Sequence, residues 1–467
     1  YVKEDHPELY AQIRERVREG RWIPEGGMWL EADCNLSSGE SLVRQLLHGY
    51  RFFKEEFGVE SEILWLPDVF GYSVALPQII RKAGLKYFMT TKLSWNETNC
   101  IPYDTFLWQG LDGTRVLTHF VTTQSPAFTQ TPFATSYNGR LEPAEVIGGW
   151  RRYFQKDLHS ETLMTFGYGD GGGGPTEQML ENARRMSRGI PGCPTVRIGS
   201  PVDFFRRLET SVSGNQNLPV WDGELYLEYH RGTYTSMAKN KRNNRKAEIL
   251  FQAGEIFGVM ANRLTGAEYD AETRRAGWEI ILRNQFHDII PGSAIKAVYE
   301  DSDAEYQRTF AMGAALTEKA IDAIAAKVRA EGPSLLVMND LCTERGTWIT
   351  FRHTAPVSSL EDSGGARIPC VRCQAAGGDI YGAWLEGIPP MGYRTFRIRT
   401  GEAQALTETR TPPRKLSTEF FEIAFDDSWQ IAGLYDRQAD REILAPGTAA
   451  NRLVAYEDRP YPVSYTH

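Results

Sequence analysis

Over residues 1–232 short apolar runs alternate with stretches of helical period. Ser37-Ser-Gly-Glu40 has the spacing of a capping box, and behind it Leu42, Val43, Leu46, Leu47 and Tyr50 share one helical face. Ile63-Leu64-Trp65-Leu66 is the length of a buried strand and Pro67 stops it. Leu76, Ile79, Ile80 and Ala83 make a second helical face, Gly84 ends it, and Tyr87-Phe88-Met89 predicts the next strand. Strand, helix and strand at this spacing form a βαβ unit, which predicts parallel pairing. Phe106–Trp108 and Val116–Phe120 flank Asp112-Gly113 and predict a hairpin. Leu163–Phe166 predicts a further strand, and Ser200-Pro201 with Asp203 predicts a helix start.

Strand signals vanish beyond about residue 236. Helical periods recur at 237–258, 273–290 and 302–330, broken by Pro291-Gly292, and predict a helical bundle. Leu335-Leu336-Val337-Met338 opens a region rich in Gly, Pro, Thr, Val and Ile with no long helical pattern. The expected organisation is an α/β domain over 1–232, a helical bundle over 233–331 and a β-rich domain over 332–467. At about 150 residues per domain, 467 residues agree with that division.

Composition narrows the class. Hydrophobic residues at 41% and charged residues at 24% are those of an ordinary globular chain. Lys+Arg 52 against Asp+Glu 60 leaves a net charge of −8, which argues against nucleic-acid or anionic-membrane partners. No apolar run reaches the roughly 20 residues of a membrane helix, and no signal-peptide pattern opens the chain. Six cysteines are too few for a disulfide scaffold, so a cytoplasmic location is expected, and Cys370-Val-Arg-Cys373 lacks the second pair a structural zinc site needs. Aromatic residues at 12% suit a protein that stacks rings on sugars, although large cores use them too. A homo-oligomer is compatible with all of this.

Three places carry chemistry. Asp68 follows directly on a buried strand between Pro67 and Gly71, and catalytic groups in parallel α/β folds project from carboxyl ends of strands. The bland alternative is a turn or cap aspartate. Asp170 also follows a strand, within Gly167-Tyr-Gly-Asp-Gly-Gly-Gly-Gly174, where the entropy cost of so many glycines makes sense if a ligand approaches the main chain. A phosphate loop and a floppy surface linker are the rivals, but no Gly-Lys-Ser/Thr ending follows to support the first. His287-Asp288 ends an apolar helical stretch, where a neutral imidazole is either a hydrogen-bonded core residue or a metal ligand oriented by its neighbour.

Trp65–Ser73, Tyr87–Trp95, Phe166–Thr176, Tyr229–Ser236 and Asn284–Ser293, in that order, resemble the retaining α-mannosidases of glycoside hydrolase family 38, the bacterial and cytosolic branch in particular. The resemblance implies a seven-stranded α/β barrel, a three-helix bundle and β-sandwich domains. It implies hydrolysis of terminal α-mannosides, on a free mannoside or an oligosaccharide, with zinc or another divalent ion as cofactor. Asp68 matches the nucleophile and a zinc ligand, Asp170 the acid/base and His287 a zinc ligand. Phe70, His230 and Asp288 fall where the family lines the sugar pocket. Family members also carry a His-x-Asp pair on a preceding strand. None precedes Asp68, and Glu4-Asp5-His6 has the wrong order. With Tyr1 first and Ser464-Tyr-Thr-His467 last, the expectation is an excerpt whose first barrel strand and later β parts lie outside it. Two other classes fit the same residues: a metal-dependent sugar deacetylase or amidohydrolase, and a catalytically silent carbohydrate-binding protein.

Overall fold

The computed structural model describes residues 1–124, 134–375, 378–402, 404–405 and 412–455, without the side chains of 373–375 and 404–405. They fall into two compact units, Tyr1–Val328 and Arg329–His467. The first unit contains helices α1 (Val2–Asp5), α2 (Pro7–Arg18) and α3 (Gly39–Phe57), then β1 (Ile63–Trp65), α4 (Leu76–Lys82) and β2 (Tyr87–Thr90). Next come β3 (Thr105–Gln109), β4 (Arg115–Phe120), α5 (Pro143–Arg152), α6 (Glu177–Met186), α7 (Pro201–Val212) and β5 (Val220–Asp222). Three further helices, α8 (Ala238–Thr265), α9 (Ala271–Arg283) and α10 (Lys296–Ala325), complete it.

The sheet runs β1-β2-β4-β3-β5, parallel except for the β3–β4 hairpin, which turns at Asp112-Gly113 as expected. Both faces are covered, which explains the uninterrupted apolar runs. Leu64, Phe88, Phe106, Trp108 and Val116 pack on one side with Leu42 and Leu46 of α3 and Leu76 and Ile80 of α4. Ile63, Tyr87, Met89 and Leu117 pack on the other with Phe204, Phe205 and Leu208 of α7.

Several local expectations shift. Among the described residues this sheet has five strands rather than the seven of the implied barrel. Gly26 and Phe166 join neighbouring chain only through isolated bridges to Leu64 and Gly139. Side chains replace ladder bonds there: Glu25 accepts from the Glu62 and Ile63 amides, and Thr123 accepts from the Thr165 amide. Leu163–Phe166 therefore forms no strand. Ser38, not Ser37, caps α3, accepting from the Ser41 amide at 3.1 Å. Val43 and Leu47 of its apolar stripe are exposed, because Ser41 and Gln45 take the buried face. The bundle helices pack around Ala247, Phe251, Trp278, Ile281, Leu282 and Tyr306. The middle one stops at Arg283, short of residue 290, because the segment after it turns to hydrogen-bond residues 31 and 33.

The second unit carries β6 (Ser334–Asn339), β7 (Arg345–Arg352), β8 (Val357–Glu361), β9 (Arg367–Pro369), β10 (Val371–Ala375), β11 (Gly378–Ile388), β12 (Gly392–Thr400) and β13 (Gln404–Ala405). They form two four-stranded sheets, β13-β10-β11-β7 and β6-β12-β8-β9, whose inner faces share one core through Leu360, Tyr381, Leu385 and Phe396. Strands β14 (Lys415–Ser417), β15 (Phe421–Phe425), β16 (Ile431–Asp436) and β17 (Arg441–Glu442) make a third sheet. Cys370 is a buried free thiol in the shared core, and the Cys373 side chain lies outside the described residues. Among the described residues no helix is long and apolar enough to cross a membrane.

Candidate active site

Asp68 leaves the carboxyl end of β1 on a rigid turn. Tyr72, fully buried, donates to the Leu66 carbonyl at 2.7 Å, and its main chain exchanges hydrogen bonds with Leu225. Gly71 has φ 109, and a Cβ there would stand 3.0 Å from the Asn35 side chain. The Asp68 amide donates to Glu31 Oε1 at 2.7 Å. The main chain that presents the carboxylate is thereby held in place.

His287 follows α9. Its amide and its Nδ1 both meet the Glu31 carbonyl, at 3.1 and 3.2 Å. A carbonyl only accepts, so Nδ1 carries a proton and Nε2 faces Asp68 Oδ2, 3.4 Å away, and Asp288 Oδ2, 3.6 Å away. Burial alone would push the imidazole pKa down. The Asp68 hydrogen bond and the charges of Glu31, Asp68 and Asp288 outweigh that and hold it up at about 9. Burial would likewise raise Asp68, but His287 and Lys92 hold it at about 2. Glu31 itself is raised to about 7, chiefly by burial.

Asp68, His287 and Asp288 offer ligand atoms that all lie within 4.8 Å of one another. One imidazole nitrogen and two carboxylates, set in excess negative charge, are a donor set that suits zinc or a similar divalent ion. Asp288, expected to touch sugar hydroxyls, is therefore also a third candidate ligand, oriented by Ser293, which donates to its Oδ1 at 2.8 Å.

Asp170 belongs to a loop closed by reciprocal Tyr168–Gly174 main-chain bonds and is itself left-handed, at φ 57. Asn138 fixes it, donating from Nδ2 to Asp170 Oδ2 at 2.8 Å and accepting the Gly169 amide at 2.8 Å. A side chain on Gly169 would collide with Asn138, its Cβ falling 2.2 Å from Oδ1. Part of the glycine requirement is thus packing rather than ligand approach.

The Tyr137 hydroxyl ties the two acids together, 3.0 Å from Asp68 Oδ2 and 2.5 Å from Asp170 Oδ1. Those two oxygens can then be no more than about 5.5 Å apart, the sum of the two contacts, in the range of retaining glycosidases. Phe70 lines the same place, its ring 5.9 Å from His287 and 4.7 Å from His230. His230 is half-buried in an aromatic wall with Trp95 and Tyr229, and burial lowers its pKa to about 4.

All six sequence-predicted residues thus cluster in one site. Glu31, Lys92 and Tyr137 were not foreseen. Lys92 stands just past the end of β2, where the strand-end reasoning applied to Asp68 would have found it. Glu31 lies in a short acidic pair with Asp33 after an apolar run. Tyr137 carries no local signal.

One acid at the carboxyl end of a parallel strand and a second on a loop beside it form the kind of pair that glycosidases use. Residues 1–224 match the glycosyl hydrolases family 38 N-terminal domain and residues 228–324 the alpha mannosidase middle domain. The chain belongs to glycoside hydrolase family 38. It is 41% identical to alpha-mannosidase 2C1 of Mus musculus and 33% identical to alpha-mannosidase G of Dictyostelium discoideum, in each case over 98% of its own length. It spans only 41% and 43% of those proteins. An alpha-mannosidase structure from Enterococcus faecalis V583 superposes with a TM-score of 0.71 over 94% of this chain and 55% of that one, at 16% identity, a likeness of fold.

Proposed function

We propose that this chain carries the catalytic centre of a retaining α-mannosidase, acting on terminal α-mannosides. The observation that carries this reading is the Tyr137 bridge, which limits the Asp68–Asp170 oxygen separation to about 5.5 Å, short of the wider spacing of inverting pairs. Asp68, ionised, attacks the anomeric carbon, and Asp170 protonates the departing glycosidic oxygen. Asp170 then takes a proton from water, which displaces Asp68 from the same carbon and restores the original configuration. Phe70 and His230 offer a wall on which the apolar face of a pyranose can rest. A divalent ion held by Asp68, His287 and Asp288 would supply positive charge that polarises sugar hydroxyls.

The test is covalent. A fluorinated mannosyl donor should add its mass to the Asp68 peptide, and Asp68→Ala should lose turnover by at least about 10⁴-fold. A deacetylase or a silent binding protein would give no adduct, and full activity in Asp68→Ala would reject the assignment. The sparse cysteines, free wherever their side chains are described, support a cytoplasmic location, against which secretion on cell fractionation would count.

A further inference from the structure

The stretch Tyr87–Trp95 contributes a charge to the site that the two-acid mechanism leaves unexplained. Lys92 follows β2 on a 3₁₀ turn, Lys92–Trp95, and its side chain is only 4% exposed. Its ammonium lies 2.6 Å from Asp68 Oδ1. It also lies 4.1 Å from the centre of the Trp95 ring and 5.4 Å from that of Phe70. The turn is pinned to the chain that presents Tyr137: Trp95 Nε1 donates to the Thr135 carbonyl at 2.9 Å, and Ser94 Oγ accepts the Thr135 amide at 2.8 Å. The two Asp68 oxygens are thus assigned separately, Oδ1 to Lys92 and Oδ2 to Tyr137 and His287. A lysine buried against two rings has lost its water, which is costly unless its charge is used.

We propose that Lys92 is a catalytic residue whose charge stabilises Asp68 as the departing carboxylate in the second half of the reaction. This rests on Asp68 being the nucleophile. In the ester the aspartate is neutral and the ion pair is absent. As the water oxygen bonds to the anomeric carbon, the bond from that carbon to Asp68 breaks and its electron pair returns to the carboxylate. Asp170 takes the water proton. Negative charge therefore grows beside Lys92 in this step, and in the reverse sense it is spent when the ester forms. Removing Lys92 should slow breakdown of the ester more than its formation.

The experiment uses 2,4-dinitrophenyl α-mannoside, whose leaving group needs no acid. In Lys92→Met kcat should fall about 100-fold, KM should fall with it, and kcat/KM should change far less. Rapid mixing should show a burst of about one dinitrophenolate per active site, and quenched Lys92→Met should carry mannose on the Asp68 peptide. Lys92→Arg should recover much of kcat and lose the burst. Lys92→Gln keeps a donor without charge and serves if Lys92→Met does not fold, as judged by circular dichroism. A proportional fall in kcat and kcat/KM with no burst, or an unchanged kcat, overturns the role of Lys92. In either case a fluorinated donor that still labels Asp68 in the unsubstituted enzyme leaves the nucleophile assignment standing, whereas no label there overturns that assignment first.

Discussion

A phenol has one proton to give, yet the Tyr137 oxygen is shared by two carboxyl groups, 3.0 Å from Asp68 and 2.5 Å from Asp170. Asp68 is also gripped by Glu31, Lys92 and His287, so it would keep its place without the phenol. Asp170 would not. It hangs from a glycine loop in a left-handed conformation, and Asn138 would be its one remaining side-chain partner among the described residues. Tyr137→Phe should therefore lower kcat/KM by about 10²-fold through a misplaced acid, with the thermal midpoint within a few degrees of the parent. Activated leaving groups should largely hide the loss, and an equal loss on all leaving groups would contradict this account. The contrast between these residues explains what the sequence could show. Asp68 and His287 follow elements whose apolar runs are visible, so their positions could be inferred from strand and helix ends, and Asp170 follows the apolar run Leu163–Phe166, which marks its place although that run forms no strand. Tyr137 sits in irregular chain whose path is set by distant contacts such as Ser136 N to Thr123 O, and no periodicity encodes those.

At the scale of elements, buried polar side chains do what ladder hydrogen bonds do elsewhere. His119 on β4, completely buried, accepts the Leu163 amide on Nε2 at 3.3 Å. An amide only donates, so the proton is on Nδ1, which gives it to Thr105 Oγ1 at 2.8 Å. The ring is thus built in as a neutral group, and burial, with His159 nearby, lowers its pKa to about 3. The folded pKa lies below the unfolded value of about 6.5, so the stability it confers is complete above pH 6.5 and drains away as pH falls toward 3. Between pH 6.5 and 4 this one side chain should cost the native state about 3 kcal/mol. His119→Gln should flatten the pH dependence of the urea midpoint in that window, and parallel profiles for the two proteins would show that His119 is not the acid-sensitive group. The same substitution of side chain for ladder explains why Leu163–Phe166 forms no strand: its Leu163 and Thr165 amides donate to the side chains of His119 and Thr123. The half-exposed stripe of α3 has a related cause. Its apolar positions predict a hydrophobic buried face, whereas Ser41 bonds with Glu248 and Gln285 and Gln45 donates to the Leu282 carbonyl, tying the helix to the segment that ends in His287. Hydrophobic periodicity is blind to a buried face made of hydrogen bonds.

For the whole molecule, the decisive fact is that every candidate ligand and both acids belong to the unit Tyr1–Val328, while Arg329–His467 has a hydrophobic core of its own. Each unit has the means to unfold cooperatively by itself, so calorimetry should resolve two transitions. A ligand stabilises only the native state that binds it, by RT ln(1 + [L]/Kd). A divalent ion at 100 times its Kd would then add about 2.7 kcal/mol to the first unit and nothing to the second. For a unit of this size that is a rise of several degrees in one transition, reversed by a chelator. Asp288→Ala should shrink the shift by removing one of the three candidate donors, and the other transition supplies an internal reference within the same scan. Equal movement of both transitions would mean that the ion acts outside the cluster, and movement of neither would remove the metal from the reading of Asp68, His287 and Asp288.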